Sequence, residues 1–261
     1  MLTGKSALIT GSTQGIGLAI ATRLAAQGCN VMLNGLGNPD EIEVNRKRVE
    51  EGAQGIRVLY DGADLANPSE VARLVERTIG AFGGIDILVN NAVVRYFAPI
   101  EQFKPQDWDH ALAVNLSSAF PTTRLALPGM RQRDYGRIVN MASIYGTRAV
   151  LNRVDYVTTK TAMIGFTRAV ALETAGQNIT CNAICPGSSL TPAIEQRFEA
   201  FMAKENLPRA EAEKAFMGSR QPSGRFVAMD RVGGLVAFLC GPDGVDITGA
   251  AISIDGGWSA S

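Results

Sequence analysis

The sequence is poor in the side chains from which metal centres and hydrolytic triads are built. It contains one histidine, His110, among 261 residues. Imidazole is the commonest metal ligand and the base of a Ser-His-Asp triad, so a single copy argues against both kinds of site. His110 lies in a helical pattern, where we expect a surface position and no catalytic role. No metal site is expected, and a serine-histidine hydrolase is the weakest of the alternative functions.

Disulfide motifs, secretion signals and long apolar runs are also lacking. The four cysteines, Cys29, Cys181, Cys185 and Cys240, form no C-x-x-C pair, so buried free thiols in a reducing compartment are expected. The first residues run directly into a strand pattern without the apolar segment of a signal peptide. No apolar run approaches the roughly 18 residues that cross a bilayer. These features predict a soluble, cytoplasmic protein without a membrane partner.

A net charge is lacking as well, since the chain has 25 Lys+Arg against 25 Asp+Glu. Nucleic-acid binding needs an excess of basic residues facing phosphates, and this balance disfavours it. Internal repeats, low-complexity tracts and linkers rich in proline or serine do not occur. The length therefore predicts one domain over residues 1–261.

Short apolar segments alternate with longer helical patterns along the chain. Strands are predicted at 6–10, 30–34, 56–60, 85–90, 136–142, 180–185 and 251–254. Helices are predicted at 17–27, 39–51, 68–82, 105–133, 156–175 and 229–240. Continuously apolar strands that alternate with helices are typical of a parallel sheet covered on both faces. The expected fold is α/β, a doubly wound parallel-sheet Rossmann domain of about seven strands.

Residues 188–225 interrupt the alternation. They contain helical patterns at 191–204 and 208–217, followed by a loop-like segment at 219–224. An insertion after the sixth strand lies at the carboxyl end of the sheet, where doubly wound folds bind ligands. We therefore expect a helical lid over the substrate site, with a helical hairpin of no function as the alternative.

A glycine-rich segment follows the first strand and opens the first helix. Gly11, Gly15 and Gly17 form a G-x-x-x-G-x-G pattern, in which backbone N–H groups can approach a pyrophosphate at the helix N-terminus. After the second strand, residues 34–37 read Asn-Gly-Leu-Gly. They offer neither a carboxylate for a ribose diol nor a cation for a 2′-phosphate. The missing cation disfavours NADP more than the missing carboxylate disfavours NAD, so NAD is the predicted cofactor.

Tyr156 and Lys160 stand four residues apart at the start of a predicted helix, and this spacing places them on one face. A phenol of pKa near 10 is a poor base, but a neighbouring ammonium group favours the phenolate. Ser143, just after the fifth strand, can bond the same substrate oxygen. The Y-x-x-x-K spacing is common, and by itself it also fits a surface pair.

Taken together, these motifs resemble the classical short-chain dehydrogenase/reductase family over essentially the whole chain. The matching positions are residues 10–17, 64–65 and 90–92, then Asn115, Ser143, Tyr156, Lys160, Pro186, Gly187 and Thr191. The resemblance implies that Tyr156 is the general acid/base, that Ser143 orients the carbonyl and that Lys160 lowers the Tyr156 pKa and binds the nicotinamide ribose. It further implies that Asn115 holds a proton-relay water and that Thr191 contacts the carboxamide. Val93 departs from the family, which usually has glycine there.

The resemblance also implies a set of cofactor-binding residues. These are Gly11, Thr13, Gln14, Gly15, Ile16, Gly17, Leu36, Asp64, Leu65, Asn91, Ala92, Tyr156, Lys160, Pro186, Gly187 and Thr191.

Within the family the chain is most similar to the bacterial D-3-hydroxybutyrate dehydrogenases, through residues 33–37, 58–64, 171–177, 182–187 and 255–258. The substrate-facing positions differ from that group, which usually uses Gln, His, Lys and Trp. The substrate-binding candidates here are Arg95, Tyr145, Arg153, Ser188, Arg197 and Trp258. Arginine binds carboxylate, sulfonate or phosphate bidentately, and an arginine three residues before the tyrosine with another in the lid also resembles the sulfonate clamp of hydroxyalkyl-coenzyme M dehydrogenases. The alternative for each arginine is a surface ion pair.

The expected function is NAD-dependent interconversion of a secondary alcohol and a ketone on a small anionic substrate. Such a substrate is a hydroxy acid like 3-hydroxybutyrate, or a larger or sulfonated relative. An NADP-dependent reductase of 3-oxoacyl thioesters, sugars or polyols is the nearest alternative, and a non-catalytic NAD-binding protein is another. The family resemblance implies a homotetramer.

Overall fold

Seven parallel strands form one sheet, in the order β3-β2-β1-β4-β5-β6-β7. The chain is described from a computed structural model that covers residues 1–218 and 220–261; Ser219, the first residue of the predicted loop at 219–224, lies outside the described residues. The strands are β1 (Ser6–Ile9), β2 (Asn30–Asn34), β3 (Val58–Asp61), β4 (Ile87–Asn90), β5 (Gly136–Met141), β6 (Ile179–Pro186) and β7 (Ala251–Ile254). The predicted α/β parallel sheet of seven strands is confirmed.

Helices cover both faces of this sheet. They are α1 (Gly15–Ala25), α2 (Pro39–Glu51), α3 (Pro68–Phe82), α4 (Pro105–Leu112), α5 (Ala119–Gln132), α6 (Val154–Thr174), α7 (Pro192–Glu205), α8 (Arg209–Met217) and α9 (Met229–Cys240). Ala7 and Ile9 of β1 pack into the core on one face, while Leu8 between them packs into the core on the other. Because successive strand side chains point to opposite faces, two buried faces explain the uninterrupted apolar strand pattern.

Helix boundaries follow local capping signals where these are present. Asn38 and Asn67 precede α2 and α3, accept hydrogen bonds from the first turns, and are each followed by proline. Gly83 ends α3 in a left-handed conformation with φ of 81°. Asparagine caps, proline at the first helical position and a terminal glycine are strong boundary signals, and the predicted bounds of both helices are confirmed.

The predicted helix at 105–133 is wrong as one continuous element. It divides into α4, a π-helical turn at Ala113–Ser117, and α5. A π turn contains an extra residue that side-chain periodicity does not reveal, and such turns are frequent at functional sites. The glycine-loop helix also begins at Gly15, two residues earlier than predicted.

The insertion after β6 contains the two expected helices, α7 and α8. Phe198 is fully buried between them and packs edge-on against Phe216 and Phe226, with ring centroids 5.5 and 5.2 Å away. The lid therefore has a small aromatic core of its own, outside the clusters that flank the sheet.

All four cysteines are buried and unpaired, as predicted. Burial raises the pKa of the Cys181 thiol to about 12, so this thiol is a packing group. Among the described helices, none combines the length and the apolar character needed to span a bilayer.

Candidate active site

Strand order reverses beside β1, where β2 pairs on one side and β4 on the other. The crevice at the carboxyl ends of these strands is the ligand site of doubly wound sheets. Two cavities, of about 580 and 510 Å³, open there and share lining residues. The shared residues are Ile16, Asn91, Val93, Arg95, Thr191 and Ala193.

The glycine loop forms the floor of the smaller cavity, and its glycines are required sterically. Gly11 has φ of +60°, and a Cβ there would lie 2.6 Å from the Ala92 Cα. A Cβ on Gly17 would lie 2.3 Å from the Gly11 carbonyl oxygen. Asn91 locks the loop because its Nδ2 donates to the carbonyls of Thr10 and Gly11 at 2.9 and 2.8 Å.

This cradle fits a dinucleotide. Helix α1 starts at Gly15 without a side-chain cap, so its first backbone N–H groups remain available to a phosphate. Thr191, at the opposite wall, keeps a buried Oγ1 atom without a hydrogen-bond partner among the described residues. The other predicted cofactor residues in this cavity are Thr13, Gln14, Ile16, Leu36, Asp64, Leu65 and Ala92.

The remaining predicted cofactor residues, Pro186 and Gly187, lie at the end of β6 and line the larger cavity. A Cβ on Gly187 would come within 2.6 Å of the Gln221 side-chain oxygen and 2.9 Å of the Asp255 Cα. The Gly187 amide donates to the Ile254 carbonyl at 3.0 Å. Close packing thus holds this wall between β6, β7 and the lid.

Tyr156, Ser143 and Lys160 meet at the bottom of the larger cavity. Tyr156 and Lys160 lie on one face of α6, and Ser143 follows β5 and caps a short turn through a hydrogen bond from the Tyr145 amide. All three side chains are buried. The surface-pair alternative for Tyr156 and Lys160 is therefore wrong.

The electrostatic surroundings favour the phenolate form of Tyr156. Burial by itself raises the phenol pKa, but the charges of Lys160 and Arg95 and the hydrogen bond from Ser143 outweigh it and leave the pKa below its usual value. Burial lowers the pKa of Lys160, whose ammonium donates to the Met141 carbonyl. Both pKa values are thus lowered, which brings the phenol and the neighbouring ammonium closer to neutral pH.

Asn115 lies inside the π turn rather than in a regular helix. Its side-chain amide accepts from the Val94 backbone N–H at 2.7 Å and donates to the Val94 carbonyl at 3.0 Å. Both polar ends of the side chain are thus used to hold the segment after β4. A second lone pair on Oδ1 and a second N–H on Nδ2 remain for further hydrogen bonds.

The predicted arginines come together in the larger cavity. Arg95, Arg153 and Arg197 all line it. The Arg153 guanidinium lies 4.1 Å from the centre of the Phe97 ring and 4.5 Å from that of Tyr156, and Arg197 approaches Phe97 at 5.9 Å. None of the three forms an ion pair within the part of the chain that is described.

Arg153 has the most constrained position of the three. Only 8% of its surface is exposed, and its Nε and Nη2 atoms have no partner among the described residues. Burial lowers its pKa. A buried guanidinium with unused donors is costly by itself, and an anion in the cavity would satisfy it.

Tyr145, Ser188 and Trp258 complete the predicted substrate residues, and all line the same cavity. The Tyr145 ring packs edge-on against Tyr156 at 6.3 Å and against Trp258 at 5.3 Å between centroids. Ser188 is held by a 2.9 Å hydrogen bond from its amide to Gln221. The aromatic contacts fix Tyr145 beside the Tyr156 phenol.

Three residues that shape this site are notable among those not predicted from the sequence. Phe97 supplies the ring against which the arginines stack, Arg220 adds a guanidinium from the end of the lid, and buried Gln221 ties the lid to residue 188. Arg220 could have been predicted from its residue type, because it is an arginine in an insertion that was expected to cover the site. Nothing in the local pattern distinguishes Phe97 or Gln221 from ordinary loop residues.

The expectation for His110 is wrong in part. This side chain is half-buried and lines the smaller cavity, where its Nδ1 lies 2.6 Å from the Tyr96 hydroxyl. Tyr96 lies in an irregular segment after the end of β4, so side-chain periodicity in the sequence could not predict its contact with His110. In the described part of the chain, no group of three or more His, Cys, Asp or Glu side chains is placed to hold a metal ion.

Comparison with known proteins identifies the family. Residues 5–200 match the family model described as short chain dehydrogenase. Over 260 residues, covering all of both chains, the sequence is 47% identical to D-beta-hydroxybutyrate dehydrogenase of Cupriavidus necator. It is 37% identical over 257 residues to (2S)-[(R)-hydroxy(phenyl)methyl]succinyl-CoA dehydrogenase of Thauera aromatica, covering 97% of this chain and 96% of the relative.

Solved structures agree with these matches. L-Sorbose reductase from Gluconobacter frateurii, crystallised with NADPH and L-sorbose, superposes with a TM-score of 0.93 at 31% identity, covering 100% of this chain and 98% of that one.

Proposed function

Because the chain belongs to the short-chain dehydrogenase/reductase family of oxidoreductases, we propose that it interconverts a secondary alcohol and a ketone on a small anionic hydroxy acid, with NAD as cofactor. The observation that carries this proposal is Arg153, buried and unpartnered beside Tyr156. The cavity around it has no carboxylate among its described lining residues. An anion is the ligand that such a cavity favours.

In the proposed oxidation, Tyr156 takes the proton from the substrate hydroxyl while Ser143 bonds the same oxygen. Lys160 keeps the phenol acidic through its charge and binds the nicotinamide ribose. When bound, NAD supplies the group that accepts the hydride. In the reverse direction Tyr156 returns the proton to the carbonyl oxygen, and Asn115 holds the water through which Lys160 is reprotonated.

The proposed cofactor preference rests on the end of β2. Residues 34–37 carry no charged side chain, and Leu36 is 63% exposed there. Asp64 and Leu65 border the adenine region and Thr191 the carboxamide region. A 2′-phosphate would meet no cation at the β2 end, whereas a free ribose can bond backbone groups.

The arginines in the substrate region distinguish it from a site that binds a neutral substrate. Arg153 and Arg197 flank Phe97, and Arg95 lies 5.6 Å from the centre of the Tyr156 ring. We assign the substrate carboxylate to Arg153 and Arg197, with Tyr145, Ser188 and Trp258 forming the remaining wall. The similarity to D-beta-hydroxybutyrate dehydrogenase supports a hydroxy acid. The lid, residues 188–225, closes this wall over the substrate.

The test compares 3-hydroxybutyrate, as separate enantiomers, with its neutral methyl ester, following NADH formation. Arg153→Gln should lower kcat/KM for the acid by about 10- to 100-fold, the worth of a charge-assisted hydrogen bond, and reduce its preference over the ester. Arg231→Gln, an exposed position on α9 outside both cavities, is the matched control and should behave like wild type. Equal turnover of acid and ester by the wild type would refute the anionic substrate.

Assays with other substrates and with NADPH test the two alternative functions. Faster reduction of a 3-oxoacyl thioester or a polyol-derived ketone with NADPH would favour the reductase. NAD binding without turnover of any alcohol would favour a non-catalytic protein.

A further inference from the structure

The lining of the larger cavity concentrates positive charge. Four arginines line it, together with Lys160, and the lining contains no Asp or Glu among the described residues. The arginines are Arg95, Arg153, Arg197 and Arg220. Arg95 also borders the cofactor cavity, so part of its charge can serve the cofactor. The other three line the larger cavity and not the cofactor cavity; Arg153 is buried, whereas Arg197 and Arg220 are also exposed to solvent.

The hydrogen-bond capacity of these arginines exceeds what one carboxylate can use. Each guanidinium presents five N–H donors in a rigid fork, while one carboxylate accepts about four hydrogen bonds. Among the described residues, Arg153 has two donor nitrogens without a partner, and one nitrogen of Arg220 is used by the Phe216 carbonyl at 2.9 Å. Two guanidinium groups already saturate one carboxylate. A third therefore has capacity for a second acidic group.

Arg220 is not among the guanidinium groups that face the Phe97 ring, which are those of Arg153 and Arg197. It lies three residues beyond the end of α8, and its charge acts on the Tyr145 hydroxyl, where it opposes the rise in the Tyr145 pKa that burial causes. Tyr145 packs between Tyr156 and Trp258. The charge of Arg153 acts on the same hydroxyl, and both guanidinium groups line the same cavity.

We propose that the substrate is a dianion, in which one acidic group binds Arg153 and Arg197 and a second binds Arg220 beside Tyr145. This inference rests on the proposed function and specifies its substrate class: a hydroxy acid with a second oxyanion. Arg220 acts as a specificity residue, since it contacts the second group and not the reacting oxygen.

Paired substrates that differ by one charge test this proposal. The probes are 3-hydroxyglutarate and 3-hydroxyadipate, each compared with its half-amide, which keeps the shape but loses the second charge. For at least one diacid, the kcat/KM of the wild type should be about 10-fold or more above that for the corresponding half-amide. Arg220→Gln should abolish this preference, whereas the exposed lid variant Arg225→Gln, outside the cavity lining, should retain it.

A binding measurement separates this proposal from the proposed function. Glutarate and butyrate have no hydroxyl, so their affinities for the NADH-loaded protein, measured by isothermal titration calorimetry, do not depend on turnover. Glutarate should bind about 10-fold more tightly than butyrate, and Arg220→Gln should remove the difference.

The outcomes are distinct. Turnover of 3-hydroxybutyrate without preference for either diacid, and equal binding of glutarate and butyrate, would overturn the dianion and leave the monoanionic dehydrogenase. Tight glutarate binding lost in Arg220→Gln, without turnover of any alcohol, would support the dianion site and contradict the proposed reaction.

Discussion

Tyr156 and Lys160 show how burial and charge oppose each other within one pair of residues. Burial raises the pKa of the phenol and lowers that of the ammonium, while the positive charges around the phenol pull its pKa below the usual value. The site therefore holds a phenol that ionises more readily than tyrosine in water. We expect this phenol to serve as the base of the proposed alcohol oxidation.

This balance predicts a pH profile. Oxidation requires the phenolate, so kcat/KM should rise with pH through the Tyr156 pKa and level off above it. Lys160→Ala removes the largest lowering influence, so the inflection should move to higher pH, and the rate near neutrality should fall by about 100-fold or more. Tyr156→Phe should lose the inflection together with the activity. The measurement is kcat/KM from about pH 6 to pH 10, and an unshifted inflection in Lys160→Ala would contradict the assignment.

The backbone at Ala92 leaves no room for a methyl group on Gly11. Gly11→Ala would place a Cβ 2.6 Å from the Ala92 Cα in a left-handed conformation, which costs about 1–2 kcal/mol before any clash. We expect a lower Tm and weaker NAD binding. Gly80→Ala, in α3 with nothing within 4 Å of its Cβ position, is the control and should be neutral or stabilising. Unchanged NAD affinity in Gly11→Ala would show that the loop does not contact the cofactor.

At the scale of elements, the lid is held by its own aromatic core. Phe198→Ala should cost about 3–5 kcal/mol, and because the core is local, we expect it to destabilise α7 and α8 before the sheet. Hydrogen exchange should quicken in those helices and not in β5, and KM should rise more than kcat falls. Phe201→Ala, whose half-buried ring meets Phe216 at 5.3 Å, is a milder control. Uniform destabilisation of lid and sheet would refute a separate lid core.

At the scale of the whole molecule, NAD should stabilise the protein more than NADP. A ligand at 100 times its Kd stabilises the folded state by about 2.7 kcal/mol, which corresponds to roughly 5–10 °C in Tm. NADP at equal concentration should raise Tm less, because residues 34–37 provide no cation for its phosphate. Thermal unfolding with each cofactor checks this, and an equal or larger shift with NADP would reverse the cofactor assignment.

Assembly is a second prediction at this scale. We propose a homotetramer whose contacts include the exposed apolar side chains Phe120 on α5 and Leu172 on α6, which are 60% and 81% accessible. Light scattering after size exclusion should give four copies of the 27.7 kDa chain. Leu172→Glu should shift the mass downward. A monomeric wild type would contradict the proposal.

Much of the fold could be predicted because its signals are local. The bounds of β2, α2, α3, α9 and β7 agree with the sequence pattern, where apolar runs, asparagine caps and prolines mark them. The π turn at Ala113–Ser117 could not be predicted from the sequence. Its extra residue leaves the surrounding side-chain pattern helical. His110 illustrates the same limit, because its partner Tyr96 comes from an irregular loop.

The sequence by itself determined the alternation of strands and helices, the glycine cradle and the residues Ser143, Tyr156 and Lys160, since these depend on residue type and short spacing. Only the tertiary structure decided that Arg95, Arg153, Arg197 and Arg220 share one cavity whose described lining residues include no carboxylate. Balanced totals of acidic and basic residues conceal such a cavity, because charge acts over ångströms and composition averages over the whole chain. The positions of these arginines are set by the loops after β4 and β5 and by the lid, and those segments meet only once the sheet has formed.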